Sequence, residues 1–410
     1  MQDVDEISRK IAKGRLSGRI HILGLGNVGT FVAHSLASRK SPIPITLLLH
    51  HTELYRDWLA VKRCVSINSK GLDDIKTGFD VNVLEGQTWH SLPYRVTNSN
   101  TESDYNAIIE KEQLDSSALS LQDDEKIDCL IVTVKAPETV RALKSVRHRL
   151  TPESTVLLLQ NGMGTTDELN SEVFPDPCQR PNYMLGIISH GLLRKEPFRV
   201  SHTGVGTTIL SPLPSVMLPK SAEGKDGDWA PSTKYLLRTL TLTPQLVAVA
   251  ETPTALMQHQ LEKLAMNCVI NPLTVLLDCE NGELLSKYNV ARAMRLLLLE
   301  ISTVICSLPE LQGVPGVNVR FAPERLRYMA MQLADKTAKN TSSMLQDVRK
   351  SKKTEIEYLN GYIIRRGEEL GIKCVLNYLV KQLVISKSHV LRWRARNAIP
   401  LDLSDLENED

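Results

Sequence analysis

The chain has 410 residues, 42% hydrophobic and 23% charged, which is enough apolar content for two ordinary domains. Its 49 Lys and Arg nearly balance 47 Asp and Glu, leaving a net charge of +2 and no general electrostatic case for nucleic acid or a membrane surface. No apolar run approaches the ~18–20 residues that cross a bilayer, and seven cysteines without a CxxC or metal spacing favour free thiols in a reducing compartment, with no metal site.

Residues 1–18 precede the first strand. Val4, Ile7 and Ile11 fall at helical spacing among Arg9, Lys10, Lys13 and Arg15, while Asp3, Asp5 and Glu6 argue against a mitochondrial transit peptide. A local helical extension of a cytoplasmic protein is expected, with mitochondrial import as the alternative. Residues 19–23 (RIHIL) suit a strand, residues 24–29 read GLGNVG, and residues 30–37 (TFVAHSLA) suit a helix. Strand, GxGxxG and helix in that order form a dinucleotide-binding fingerprint. Its glycines permit a tight turn and close approach of backbone to pyrophosphate, and the helix N-terminus faces the phosphate charge. Gly24, Leu25, Gly26, Asn27, Val28 and Gly29 are therefore candidate cofactor-binding residues. Residues 45–49 (ITLLL) predict the second strand. An NAD site usually places an acid at its end to bind ribose hydroxyls. Here the strand runs into His50-His51, the first acid is Glu53, and Arg56, Lys62 and Arg63 lie further on. That pattern favours NADP, unless the two histidines are merely solvated loop residues.

Residues 98–126, rich in Ser, Asp, Glu and Asn, read as an insertion with a short helix over 105–114. Residues 129–134 (CLIVTV) predict a strand ending in Lys135-Ala136-Pro137. Residues 155–159 (TVLLL) predict another, ending in Gln160-Asn161-Gly162-Met163-Gly164. In open α/β sheets, ligands sit beyond the carboxyl ends of the strands. Lys135 thus becomes a candidate for cofactor phosphate or ribose, and Asn161 for the nicotinamide region. An ordinary exposed lysine and an Asn-Gly turn are the plain alternatives. The first half predicts a doubly wound α/β sheet. Residues 211–232, with four prolines and the charged SAEGKDGDW stretch, read as a surface loop. A domain boundary is expected near residues 251–253, where Pro253 suits the first turn of a helix.

Residues 262–283 read EKLAMNCVINPLTVLLDCENGE. Lys263, Asn267 and Asn271 recur every four residues, which aligns one ammonium and two carboxamides on one helical stripe. Leu264, Ala265, Val269 and Ile270 would face a core. Such a polar stripe is costly unless partnered, and a small polar ligand is a natural partner; a capped core helix with a snorkelling lysine is the bland alternative. Pro272 disfavours helical conformation at Asn271, so the helix should end or kink there. Ser343 with Gln346, and Thr354 with Glu357, resemble capping boxes, so that Ser343 and Glu355 would each open a helix. Ser343 and the N–H groups after it could hold a carboxylate, and Glu355 could accept from hydroxyls. After Lys387 comes a basic run (Arg392, Arg394, Arg396) and then an acidic tail over 402–410.

The segments GLGNVG, VTVKAPET, LQNGMGT, KLAMNCVINPLTVLLDCENGEL and SSMLQDVRKSKKTEIEYLNG, in this order across residues 19–371, resemble the ketopantoate reductase (2-dehydropantoate 2-reductase) family. The resemblance implies an N-terminal Rossmann-type domain followed by an all-helical C-terminal domain, with the active site in the cleft between them. It implies NADPH-dependent reduction of 2-dehydropantoate to (R)-pantoate, towards pantothenate and coenzyme A. Lys263 corresponds to the family's catalytic proton donor. Asn267, Asn271, Asn281 and Ser343 correspond to residues holding the substrate's hydroxyl and carboxylate. Asn161 corresponds to an asparagine near nicotinamide and substrate, and Glu355 to a glutamate on the cofactor side. Gly24, Gly26, Gly29 and Lys135 match cofactor positions. His50 stands where the family often has an arginine for the 2′-phosphate. The segment Cys374-Val375-Leu376-Asn377 lacks the proline common before that asparagine.

The implied division is an extension (1–18), an NADP-binding Rossmann domain (19–252, with insertions near 98–126 and 211–232), a helical substrate and catalytic domain (253–393) and an acidic tail (394–410). The expected partner is a small 2-keto acid, without nucleic acid or membrane, and a homodimer stays open. Two other classes also stay open: a reductase of another 2-keto acid, and a non-enzymatic NADP-binding scaffold. A scaffold needs no proton donor, and Lys263 and Glu355 are both present.

Overall fold

The computed structural model describes residues 16–92, 122–214 and 229–397. The expected helix over 105–114, nearly all of the N-terminal extension and the tail beyond residue 397 lie outside them. The chain divides into two compact units: residues up to Asn161 with Thr165–His259, and Gly162–Gly164 with the chain from Gln260 onward.

The first unit is built on strands β1 (Ile20–Leu23), β2 (Ile45–Leu49), β5 (Asp80–Glu85), β7 (Cys129–Val132), β8 (Thr155–Leu158) and β9 (Asn182–Ile188). They run parallel in the spatial order β5-β2-β1-β7-β8-β9. This is the doubly wound order, with its reversal at β1. The edges are extended by β6 (Thr88–Leu92) beyond β5, and by β12 (Thr208–Pro212) and β13 (Ala248–Ala250) beyond β9. The central strands β1, β2, β7 and β8 are buried throughout and mostly apolar because both faces are covered. Ile20, Ile22, Leu47, Leu49, Ile131 and Leu157 pack on one side with helices α1 (Asn27–Ala37), α2 (Thr52–Ala60) and α5 (Pro231–Thr241). Leu23, Leu48, Leu130, Val132, Val156 and Leu158 pack on the other with α3 (Thr139–Val146) and α4 (Thr165–Glu172). Successive residues thus divide between two cores, as the period of two requires.

Several expectations change. The first helix opens at Asn27, three residues before the apolar pattern begins, because Gly26 takes the N-cap position. Ser211–Ser232 is not all loop: Ser211 is fully buried in β12, and Pro231 and the buried Ser232 open α5. A second sheet, in the order β10-β11-β3-β4, joins β10 (Gly191–Glu196), β11 (Arg199–Gly204), β3 (Val65–Ser69) and β4 (Leu72–Lys76). Its strands are short and partly exposed, so they lack the apolar runs that mark the main sheet.

In the second unit every described element is a helix or a 3₁₀ turn. The principal helices are α6 (Pro253–Leu277, which begins in the first unit), α7 (Tyr288–Cys306), α8 (Pro323–Lys336), α9 (Ser343–Arg349), α10 (Asn360–Glu369) and α11 (Val375–Asn397). The last runs four residues past the expected start of the tail, carrying Arg394 and Arg396 in its final turn. Leu264, Ala265, Val269 and Ile270 are buried, as the stripe required.

Helix α6 does not end at Asn271. It continues through Pro272 to Leu277. A proline inside a helix strips the carbonyl four residues earlier of its donor. That carbonyl belongs to Cys268, and the Asn360 side-chain amide donates to it at 2.9 Å. Asn360 Nδ2 also donates to Asn377 Oδ1 at 3.0 Å, and Asn377 Nδ2 donates to Glu300 Oε2 at 2.8 Å. Glu300 accepts the backbone N–H groups of Leu376 and Asn377, which open α11. Asn360 and Asn377 are fully buried, and the burial of Leu273, Thr274 and Val275 rewards continuing the helix. Replacing Asn360 with Ala should lower stability by about 1–3 kcal/mol, read as a lower urea midpoint of the full chain; an unchanged midpoint would contradict this role for the amide.

Candidate active site

In the first unit, the glycine loop follows β1. Gly24 has φ +104°, and an added Cβ would lie 2.5 Å from Val134 N. At Gly29 an added Cβ would lie 1.9 Å from Gly24 O. Both positions are therefore closed to any side chain by backbone packing. Gly26 differs: a Cβ there meets nothing within 4 Å. Open space over the loop, at the N-terminus of a buried helix, suits the approach of a phosphate. Leu25 is buried and Val28 packs against the core, so these two support the loop through their side chains. Asn27 Nδ2 donates to Leu192 O at 2.9 Å, anchoring the loop on the second sheet.

Beyond β2, His51 is no plain loop residue. It caps α2, its Nδ1 accepting the Leu54 N–H at 3.0 Å. His50 lies exposed beside it, ring centroids 4.3 Å apart. Neighbouring chain strips enough water from the His50 ring to lower its pKa, the charges of His51 and Arg141 lower it further, and Glu138 opposes them. Arg141 had no signal in the sequence, because a lysine- and arginine-dotted helix reads as a solvated face. Lys135 is exposed after β7, and its carbonyl accepts the Glu138 N–H at 2.9 Å, opening a short 3₁₀ turn.

Asn161 is half-buried at the end of the first unit's run from β8. The three residues after it pack within the second unit. Met163 N–H donates to Tyr358 O at 3.0 Å, and Gly162, at φ +84°, leaves no room for a Cβ against Tyr358.

In the second unit, Lys263, Asn267 and Asn271 share a stripe of one continuous helix. Lys263 and Asn267 are half-buried and Asn271 is buried. Burial lowers the Lys263 pKa to about 8, against the opposing pull of the Glu355 carboxylate. Glu355 is itself buried, so the structure brings together these two residues, 92 positions apart in the sequence. The expected helix after Glu355 is only a 3₁₀ turn (Ile356–Tyr358), and no side chain makes the reciprocal cap predicted from Thr354 and Glu357. Next to Lys263, Glu262 is buried and clamped. Arg320 donates to it through Nε at 3.0 Å and Nη2 at 2.7 Å, and Arg325 adds a bond at 2.7 Å. Burial pushes the Glu262 pKa up, but the two arginines outweigh it and hold the carboxyl below its usual range. The sequence gives no sign of this clamp, whose partners lie about sixty residues away.

The serine cap shifts by one residue. Ser342, in extended conformation, is the cap of α9, its Oγ accepting the Leu345 N–H at 3.2 Å. Ser343 is already helical and exposed. Ser342 Oγ also meets Thr274 Oγ1 at 2.6 Å, and Thr274 Oγ1 donates to Asn271 O at 2.8 Å. This chain seats the start of α9 beside the Asn271 end of the stripe. Asn281 is buried against residues 337–340: its N–H donates to Asn340 O at 3.1 Å and its Nδ2 to Thr337 Oγ1 at 2.9 Å. Its Oδ1 is buried with no protein partner, an acceptor available to a ligand hydroxyl. Among the described residues no group of three or more His, Cys, Asp or Glu could hold a metal ion.

The family model described as "Ketopantoate reductase PanE/ApbA" matches residues 20–215, and that for "Ketopantoate reductase PanE/ApbA C terminal" matches residues 255–388. A Salmonella typhimurium protein named 2-dehydropantoate 2-reductase is 34% identical over 262 residues, covering 64% of this chain and 75% of that protein. A Schizosaccharomyces pombe protein named probable 2-dehydropantoate 2-reductase is 28% identical over 389 residues, covering 93% of this chain and 99% of that protein. Among solved structures, D-mandelate dehydrogenase with NADH and anilino(oxo)acetate shares the fold with a TM-score of 0.65 at 18% identity, covering 91% of this chain and 99% of that one.

The two glycines should separate experimentally. Gly29→Ala should fail to give folded protein, whereas Gly26→Ala should keep its melting temperature and bind a dinucleotide on the order of tenfold more weakly, measured by nucleotide fluorescence. Unchanged binding in Gly26→Ala would remove the loop from the cofactor site.

Proposed function

The chain belongs to the ketopantoate reductase family, and from that premise we propose that it reduces 2-dehydropantoate to (R)-pantoate with NADPH, a step towards pantothenate and coenzyme A. The observation that carries this proposal is the half-buried Lys263, its pKa drawn down to about 8, on one stripe with two carboxamides. NADPH held by the glycine loop would supply a hydride to the C2 ketone carbon. Negative charge then grows on the ketone oxygen, and the Lys263 ammonium stabilises it and gives up a proton to it. A pKa near the working pH favours that transfer, since the lysine is still largely protonated yet is a stronger acid than an ordinary one. Glu355 keeps the ammonium charged against the desolvation that opposes it.

Asn267, Asn271 and Asn281 orient the substrate, because carboxamides neither give nor take protons at neutral pH. The unpartnered Oδ1 of Asn281 suits a substrate hydroxyl. In this proposal Ser343 faces the substrate carboxylate and Asn161 serves both nicotinamide and substrate. Gly24, Gly26, Gly29 and the residues between them hold the pyrophosphate, with Lys135 and His50 as cationic or protonatable partners of the cofactor. The enzyme works in the cytoplasm; no helix among the described residues is long and apolar enough to cross a membrane. A homodimer fits the exposed Leu379, Leu383, Val390 and Trp393 of α11, apolar surface that a second copy would cover.

The test is NADPH oxidation with 2-dehydropantoate. Lys263→Ala should lose ~10²–10⁴-fold in kcat while staying folded, and near wild-type turnover in that variant would remove the lysine from the mechanism. In the parent enzyme kcat should fall as pH rises through about 8, because the proton donor is lost above its pKa. A flat profile to pH 10 would contradict the assignment.

A further inference from the structure

The second sheet has no part in the chemistry proposed above, yet it supports the helix that opens at the glycine loop. Asn27, Phe31 and His34 recur at spacings of four and three, so they share one face of α1. All three meet the second sheet or the chain entering it. Asn27 Nδ2 donates to Leu192 O on β10. The Phe31 ring lies 4.8 Å from that of His190 and 5.0 Å from that of His202, centroid to centroid. His34 Nε2 lies 2.9 Å from Asp74 O on β4. His190 is the joint of this arrangement. It sits between β9 and β10, where the chain leaves the main sheet for the second, and it is buried. Its ring nitrogens have fixed roles. The Gly206 N–H donates to Nδ1 at 3.2 Å, so Nδ1 is an acceptor and the ring proton is on Nε2. Nε2 donates to Leu246 O at 3.0 Å, at the end of the 3₁₀ turn Pro244–Leu246. His202 Nε2, on β11, lies 3.1 Å from the same Nδ1 and must therefore donate to it. One imidazole thus ties β11, the loop after it and the turn before β13 to the start of β10. These segments are in close contact: a Cβ added at Gly206 would lie 2.5 Å from His190 N.

We propose that His190 and His202 are positioning residues for dinucleotide binding: their hydrogen bond locks the second sheet against α1 and so fixes where that helix presents its N-terminal N–H groups. This rests on the nucleotide-binding part of the function proposed above. An apolar pair could pack against Phe31 as well as two imidazoles do. A buried imidazole bonded through both nitrogens to three segments also fixes orientation. Both rings act through Phe31, one turn along α1 from Asn27 in the glycine loop. Hydrogen bonds from a helix N-terminus to a phosphate are directional, and a site loosened by its supporting residues loses affinity. The pyrophosphate takes no part in hydride transfer, so its seat is felt equally before and during the reaction. An error there raises KM for the cofactor and spares kcat.

The test combines NADPH fluorescence titration and steady-state kinetics of the full chain in two variants. His202→Leu keeps apolar bulk against Phe31 and removes the donor, whereas His202→Gln carries an Nε2 that can replace it. His202→Leu should raise Kd and KM for NADPH on the order of tenfold. It should leave kcat and the KM for 2-dehydropantoate within about twofold. His202→Gln should restore most of the lost affinity. His190→Ala strands the Gly206 N–H and Leu246 O as well, and should weaken NADPH at least as much as His202→Leu. If that variant does not fold, the His202 pair still decides, because His202 is only half-buried. Unchanged NADPH binding in His202→Leu would overturn the proposal. So would an equal loss in His202→Gln, or a fall in kcat as large as the rise in KM, which marks general loss of structure. With an active parent enzyme, each of these results leaves the reductase reading intact. A parent chain that does not bind NADPH overturns both.

Discussion

A buried carbonyl has to find a donor, and at Cys268 that requirement organises the second unit. Pro272 removes the helix's own donor, and a helix that stopped there would leave Lys263, Asn267 and Asn271 on a frayed end. The Asn360 amide supplies the missing bond, so α6 runs on with its stripe intact. The same amide leads through Asn377 to Glu300, which also caps α11. Pinned at its middle by Asn360, the helix is pinned again on either side. The Glu262 clamp to Arg320 and Arg325 holds the turn that carries Lys263. At the far end Lys387 donates to Val275 O at 2.6 Å and Leu276 O at 3.1 Å, answering the carbonyls that a helix terminus leaves unpaired. A proton donor works only if held within a fraction of an ångström of its productive position, and these anchors limit its freedom.

The first unit meets a different constraint, the close approach of backbone to backbone around the end of β1. Gly24 and Gly29 are glycines because other chain segments occupy the space of a side chain, whereas Gly26 is open. The fingerprint therefore mixes two demands, packing and ligand approach, that sequence spacing cannot tell apart. The doubly wound order then sets neighbouring loops around the same strand end, which is why His50 after β2 and Arg141 after β7 act on each other although 91 residues separate them.

Much of this was legible from the residues alone. The strands flanking the glycine loop, the buried face of α6 and the start of that helix at Pro253 follow from apolar periodicity and from proline's fixed geometry. Of the end or kink expected at Pro272, the end does not occur because a distant asparagine supplies the lost hydrogen bond, something no local rule contains. The cap fell on Ser342 rather than Ser343 because a Ser-Ser pair offers two candidates and only backbone conformation chooses between them. The second sheet escaped notice because β4 (LDDIK) is nearly all exposed and carries no buried alternation. The arginines on Glu262 were invisible because charged pairs formed across dozens of residues leave no spacing to read, and Arg141 because its near pair with Glu138 looks like any solvated helix pair. Of the candidate site, the sequence displayed the stripe; motif resemblance singled out Lys263 and Glu355 separately, and only the fold sets the Glu355 carboxylate near the lysine.

Taken together, the molecule holds one lysine in a setting where burial and an opposing carboxylate leave it both charged and unusually acidic. Burial alone would depress the pKa further, and Glu355 prevents the ammonium from being lost near neutrality. The sign for folding follows: the depressed pKa is a penalty present below about pH 8 and relieved as pH rises towards the ordinary lysine value. Direct titration of the Lys263 side chain by nitrogen-15 NMR in the full-length protein, with Lys263→Arg to assign the resonance, tests this most simply. A midpoint at about 8 is the predicted result; a midpoint at the unperturbed value of about 10.4 would contradict the account of how this lysine becomes a proton donor.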